Sequence, residues 1–357
     1  MTEVVIAGMG QVPVGEYWDT SLRTLGARAI RAALRDSAGL TPQTMYIGNY
    51  MAPMASHHSN LGALLAESAA LEGIEGVTIE AAGASGAGAL HQAYLAVASG
   101  WVDTALVVGA EKYNDKVGPD LEASVAQALD YDYEAVNGLI PMGQGALLMR
   151  RYMHQYGVER KAFAEFPLLA HANAVNNPNA LFRKAITREA YERAEIFADP
   201  MNIFDMAPYA DGAAALVLTR ADRLPRDFAH RQVRLRGSSV VVDALALHDR
   251  PDPLRFEAAA LSMERACGQA GILPLDADFF EVCDSFSVYA ALSLEATGFA
   301  PRGQALRLAQ EGTFALGGKL PLMTMGGLKA RGHPLGATGV YQVIEAALQL
   351  RGEAGAN

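Results

Sequence analysis

Short apolar runs that alternate with amphipathic stretches of helical period restrict what this chain can fold into more than any other feature. Residues 4–8 precede a helical pattern over 22–38, residues 45–48 one over 58–72, and residues 77–81 one over 85–99; a fourth run follows at 105–109. Apolar runs of four to eight residues read as strands, and apolar positions at i, i+3 and i+4 read as helices. A βαβαβαβ series makes right-handed crossovers, which predicts an α/β fold with a parallel sheet covered on both faces. In such sheets functional groups collect where strands end and helices begin.

The pattern loosens over 116–205, where an acidic segment, helices near 144–156 and 160–175 and the loop NAVNNPNALF read as an insertion. A strand at 213–218 returns to the sheet, and LTRADRLPRDFAHR reads as a linker. A second series has strands at 233–242 and 279–282 and helices over 256–270, 286–297 and 339–351. The expected organisation is an N-terminal half (1–115 and 206–222), an inserted domain (116–205) and a C-terminal half of the same architecture (231–357). Two halves suit 357 residues, since single cores stop growing near ~250–300 residues. A closing helix needs a sheet face to pack on, so a stop at Asn357 predicts that the C-terminal half is incomplete.

An apolar fraction of 51% with 35 glycines fits buried strands joined by tight turns. The formal charge of −10 and the lack of any basic run argue against nucleic acid. Cys267 and Cys283 make no disulfide framework, and no cysteine or histidine spacing suggests a metal site. No apolar run reaches the ~18–20 residues that span a bilayer. Neither membrane insertion nor secretion is expected, and a reducing cytoplasm is.

Three strand-to-helix junctions carry candidate chemistry. In VTIEAAGASGAGAL (77–90) the helix start favours an anion, yet nothing ionisable sits there; Ser85 reads as a cap more readily than as a reactive hydroxyl. In GGLKARGHPLGATG (326–339) glycines bracket His333, whose ordinary pKa of about 6.5 suits a general base. In FFEVCDSFSVYAAL (279–292) the turn holds Cys283, Asp284 and Ser285, which alone would read as a buried cysteine and a cap. His57, His58 and His171 lack a comparable setting and read as structural.

Together these junctions resemble the thiolase superfamily, in particular its archaeal and sterol-carrier-protein-type branch. EAAGASGAGALHQAYLAVASG resembles the nucleophile segment, MGQGALLMRRYMHQYGVERKAFAEFPLLAHANA the loop-domain helices, PYADGAAALVL the strand that rejoins the core, and GGLKARGHPLGATG the most specific signature. The resemblance implies a homodimer or dimer of dimers, with two similar α/β halves per protomer, acting on acyl-CoA thioesters without a further cofactor. It also implies a small zinc-ribbon/OB-fold acyl-CoA-binding partner. His333 falls on the family's activating histidine and Gly83 on its nucleophilic cysteine. Cys283 stands for the first histidine of the His-Asp-x-Phe motif and Ser285 for an acid/base cysteine. Phe286 falls where the family contacts pantetheine, Met142 resembles a residue lining the same tunnel, and Gly327 is assigned to substrate binding.

The departures matter as much. Glycine forms no acyl-enzyme, Met323 stands where relatives often carry asparagine, and the family's terminal strands and Cys-x-Gly loop lie beyond Asn357. One expectation is an enzyme that makes or breaks a carbon–carbon bond on acyl-CoA without covalent catalysis at position 83, such as a retro-aldolase. The other is a silent paralogue that binds acyl-CoA or scaffolds a partner. Cys283, placed at the site, is expected to alkylate faster than Cys267.

Overall fold

The computed structural model describes residues 2–357. β1 (Val4–Gln11), α1 (Leu22–Asp36), β2 (Thr44–Gly48), α2 (Leu61–Ala69), β3 (Glu75–Ile79), α3 (Ser85–Ala98) and β4 (Thr104–Glu111) follow in the expected order. α1 shows why: Ser21 caps its first turn by accepting from the Thr24 N–H, and Leu22, Leu25, Ala29, Ile30 and Ala33 bury one stripe. Then come α4 (Pro119–Val125), α5 (Pro141–Tyr156), α6 (Glu165–Ala174), α7 (Arg188–Arg193) and a hairpin of β5 (Ile196–Ala198) and β6 (Met201–Asn202). β7 (Gly212–Arg220), β8 (Val233–Leu235), α8 (Glu257–Ala270), α9 (Ser287–Ala296), α10 (Ala305–Gln310) and α11 (Thr338–Arg351) complete the order.

Six strands form one sheet in the order β3-β2-β4-β7-β1-β8. β2 runs parallel to β3 and β4, but β7 is antiparallel to both β4 and β1, and β8 is antiparallel to β1. The sheet is thus mixed, which corrects the parallel one expected. β7 returns after a long excursion and no crossover helix constrains its direction.

The second series also departs from expectation. The strand expected over 233–242 ends at Leu235 and joins the first sheet beside β1. The run at 279–282 makes a single parallel bridge, Phe280 to Leu322.

Contacts divide the chain into two compact units, residues 1–121, 209–238 and 334–355, and residues 122–208, 239–333 and 356–357. In the first, α11 packs with the sheet, the Tyr341 hydroxyl donating to the Val12 and Ala213 carbonyls at 2.7 and 3.0 Å. Glu111 closes β4 there. Its buried carboxylate accepts from the Asn49 amide, the Tyr50 and Met51 N–H groups and the Gly336 N–H, all within 3.0 Å. Burial pushes it up to about 7 against the pull of those donors. In the second unit, Met149, Tyr152, Phe163 and Phe166 share one core with Val288 and Leu292, so the inserted segment and 239–333 pack as one body. No helix among the described residues is long and apolar enough to cross a membrane.

Candidate active site

In the first unit, the turn between β3 and α3 is drawn tight by its own hydroxyl. Ser85 donates to the Ala82 carbonyl at 2.6 Å and accepts the Ala81 N–H at 2.9 Å, and its side chain is buried. Both sides of that hydroxyl are committed to the backbone, so its role is the structural one. Ala82 holds φ at +46°, a strained value for a residue with a Cβ. Gly83 is exposed and does not share that conformation, and a Cβ placed on it would meet nothing within 4 Å. The turn keeps room for a side chain it lacks.

The second unit gathers His333, Cys283, Ser285, Phe286, Gly327 and Met142. One short segment ties the reactive loops together: the Ala207 N–H donates to the Ser285 carbonyl at 2.7 Å, and the His333 N–H donates to the Pro208 carbonyl at 3.2 Å. Phe286 precedes the first turn of α9, its ring 4.9 Å from that of Tyr289 and close enough to α5 that a Cβ on Gly145 would approach it to 3.0 Å. Met142, in the first turn of α5, packs on the same core. Solvent reaches Cys283, but the protein crowded around it pushes its thiol above the ordinary value, and Asp284 adds to that. Its sulfur lies 3.9 Å from the Ser285 hydroxyl.

Gly326 to Arg331 form one wide turn closed by the Arg331 N–H on the Gly326 carbonyl. Gly327 sits at φ +53° with the Asp284 carboxylate 2.7 Å from where a Cβ would stand, so a larger residue would collide with it. That carboxylate accepts the Leu328 and Lys329 N–H groups at 2.6 and 3.3 Å. Gly332, at φ +105°, then turns the chain into His333.

The turn buries two cations that sequence reasoning passed over. Lys329 is 1% and Arg331 0% exposed. The Lys329 ammonium donates to the Asp205 carbonyl at 2.6 Å, and Arg331 donates to the Gly332 carbonyl at 3.1 Å. Desolvation lowers Lys329 to about 8, although Asp284 and Asp205 hold it up. Burial first, then Arg331 and Lys329, push His333 down to about 3, so its imidazole is neutral at physiological pH. His171, read as structural, is buried: its Nδ1–H donates to the Lys184 carbonyl at 3.2 Å and its ring stacks 5.9 Å from that of Phe182. Charged residues default to the surface, so only their position inside a glycine-bracketed run could have flagged Lys329 and Arg331.

Comparison with known proteins shows the family. Residues 4–222 match the family model of the thiolase N-terminal domain, and residues 239–357 match that of the thiolase C-terminal domain-like family. An acetyl-CoA acetyltransferase of Methanothermobacter thermautotrophicus is 38% identical over 99% of this chain and 92% of its own length. A 17-hydroxy-3-oxo-4-pregnene-20-carboxyl-CoA lyase of Mycobacterium tuberculosis is 28% identical over 98% of this chain and 92% of its own length. Among solved structures, an Ltp2-ChsH2(DUF35) aldolase superposes with a TM-score of 0.85 at 25% identity, over 99% of this chain and 91% of that one. The chain belongs to the thiolase family, whose members act on acyl-CoA thioesters.

Proposed function

We propose that the chain makes or breaks a carbon–carbon bond beside the thioester carbonyl of an acyl-CoA, by proton transfer and without an acyl-enzyme at Gly83. The observation that carries this reading is a buried, neutral His333 faced by two buried cations. A neutral imidazole accepts a proton, and the positive charge of Arg331 and Lys329 that acts on it stabilises an enolate as it develops. In the cleavage direction His333 takes the proton of a β-hydroxyl. The Cα–Cβ electron pair moves into the thioester as its enolate, an aldehyde or ketone leaves from Cβ, and a proton returns to Cα from Ser285 or the protonated Cys283, which then regains the proton held by His333. The names of the mycobacterial lyase and of the aldolase structure support this chemistry.

A second-unit recess of about 600 Å³ suits the nucleotide arm of CoA, because Arg151, Arg250 and His248 line it beside Tyr133 and Leu247. Phe286 and Met142 take the pantetheine. The chain works in the cytoplasm as a homodimer or dimer of dimers, with a small zinc-ribbon/OB-fold acyl-CoA-binding partner; the ChsH2(DUF35) component named with the aldolase supports that partner.

The test is incubation with radiolabelled acetyl-CoA and with panels of 3-oxoacyl-CoA and 3-hydroxyacyl-CoA. Release of an aldehyde or ketone from a 3-hydroxyacyl-CoA is expected, and a stable acyl-protein adduct would overturn the non-covalent mechanism. A silent paralogue that binds acyl-CoA is the second reading, favoured by a Cys283 thiol held above its ordinary pKa where the family has histidine. Micromolar binding without turnover would select it.

A further inference from the structure

A cavity of about 450 Å³ opens in the second unit, walled by Phe182, Ile186, Ile203, Phe204 and Met206. Its polar groups are His171, Lys184 and Lys329. Lys329 is the unusual member. It is 1% exposed, an ammonium has three donors, and among the described residues its one hydrogen-bond acceptor is the Asp205 carbonyl. No carboxylate lies within ion-pair distance of it among those residues. A buried charge with donors to spare on the wall of an apolar cavity is best satisfied by an oxygen of a bound molecule.

The cavity also borders the reactive loops. Ala207 and Pro208 are part of its lining, and their backbone groups bond to Ser285 and His333. The Lys329 charge acts on both Cys283 and His333. A molecule lodged here would place its polar end beside the reactive groups and its apolar part toward the rim at Ile203, which is 54% exposed.

We propose that this cavity receives the apolar substituent of an acyl group, with a carbonyl or carboxylate oxygen against the Lys329 ammonium. The volume admits a medium-length chain or an aromatic ring system on the order of ten non-hydrogen atoms, within the size range of small-molecule sites. This deepens the acyl-thioester reading and rests on it for the thioester source; a free carboxylate is the other source of the same chemistry.

Calorimetric titration of the full chain with decanoate, 1-decanol, decanoyl-CoA and acetyl-CoA tests it, using wild type, Lys329→Met and Ile203→Trp. Decanoate is expected to bind about tenfold or more tighter than decanol in wild type, a preference that Lys329→Met abolishes. Ile203→Trp, placed at the exposed rim where folding is not at stake, is expected to weaken decanoate and decanoyl-CoA about tenfold and leave acetyl-CoA unchanged. Unchanged decanoate and decanoyl-CoA affinity in Ile203→Trp, or no decanoate binding in wild type, overturns the site. Equal affinity for acid and alcohol in wild type overturns the part given to Lys329. If decanoate binds and responds to both variants while no CoA ester binds, the cavity stands and the acyl-thioester reading falls.

Discussion

The junction at Gly83 and the pair of loops at Cys283 and His333 are built by the same device and furnished in opposite ways. At Gly83 the backbone keeps its strain at Ala82, its hydroxyl lock at Ser85 and an open volume, yet no side chain there can react. At His333 the loop is crowded with titratable groups, its neutral imidazole, ammonium, guanidinium and the Asp284 carboxyl all at or below 9% exposure. Backbone geometry and reactive chemistry are therefore separable properties of a site.

The sharpest way to break that comparison is to restore the missing side chain. Gly83→Cys puts a thiol into open space at a helix start. Intact-mass analysis with acetyl-CoA is expected to show an acetyl adduct on the variant and none on wild type; no adduct would mean that the turn has lost more than its sulfur. Next in size, His333→Ala should lower carbonyl release from a 3-hydroxyacyl-CoA by ~10²–10⁴-fold, the contribution of a positioned base. Arg151→Ala should raise the KM for CoA esters by roughly three- to tenfold and leave kcat nearly unchanged.

The pH dependence of stability follows from the same loop. His333 titrates near 3 in the folded chain against an ordinary value of about 6.5. Between those values the unfolded chain binds a proton that the folded chain refuses, so stability falls as pH drops from about 6.5 toward 3. Urea midpoints should show this loss, on the order of a few kcal/mol, and His333→Asn should reduce it. Smallest of all, Ser85→Ala should lower stability by about 1 kcal/mol through the loss of its two turn bonds, read by thermal or urea unfolding.

Periodicity was enough to read the order of elements through β4, because each strand and helix there carries its own pattern and a cap such as Ser21. It was not enough for the direction of β7 or the fate of 233–242, since neither depends on local sequence. Both are settled by which neighbour offers a free ladder, and that neighbour is far away along the chain. The site divides in the same manner. His333 was legible from the glycines around it, whereas the burial of Lys329 follows from Asp205, 124 residues earlier, and Asp284, 45 residues earlier.

The Glu111 carboxylate, bonded to residues 49–51, also takes the Gly336 N–H from 225 positions away, and Tyr341 reaches back 329 positions to Val12. A ribosome delivers those partners far apart in time. Strands β1 to β4 emerge first, with the buried acid lacking one donor and the face that receives α11 still open. Folding of the first unit is thus tied to a stretch made 225 residues after Glu111, and the long interval before it is when a chaperone would find this chain.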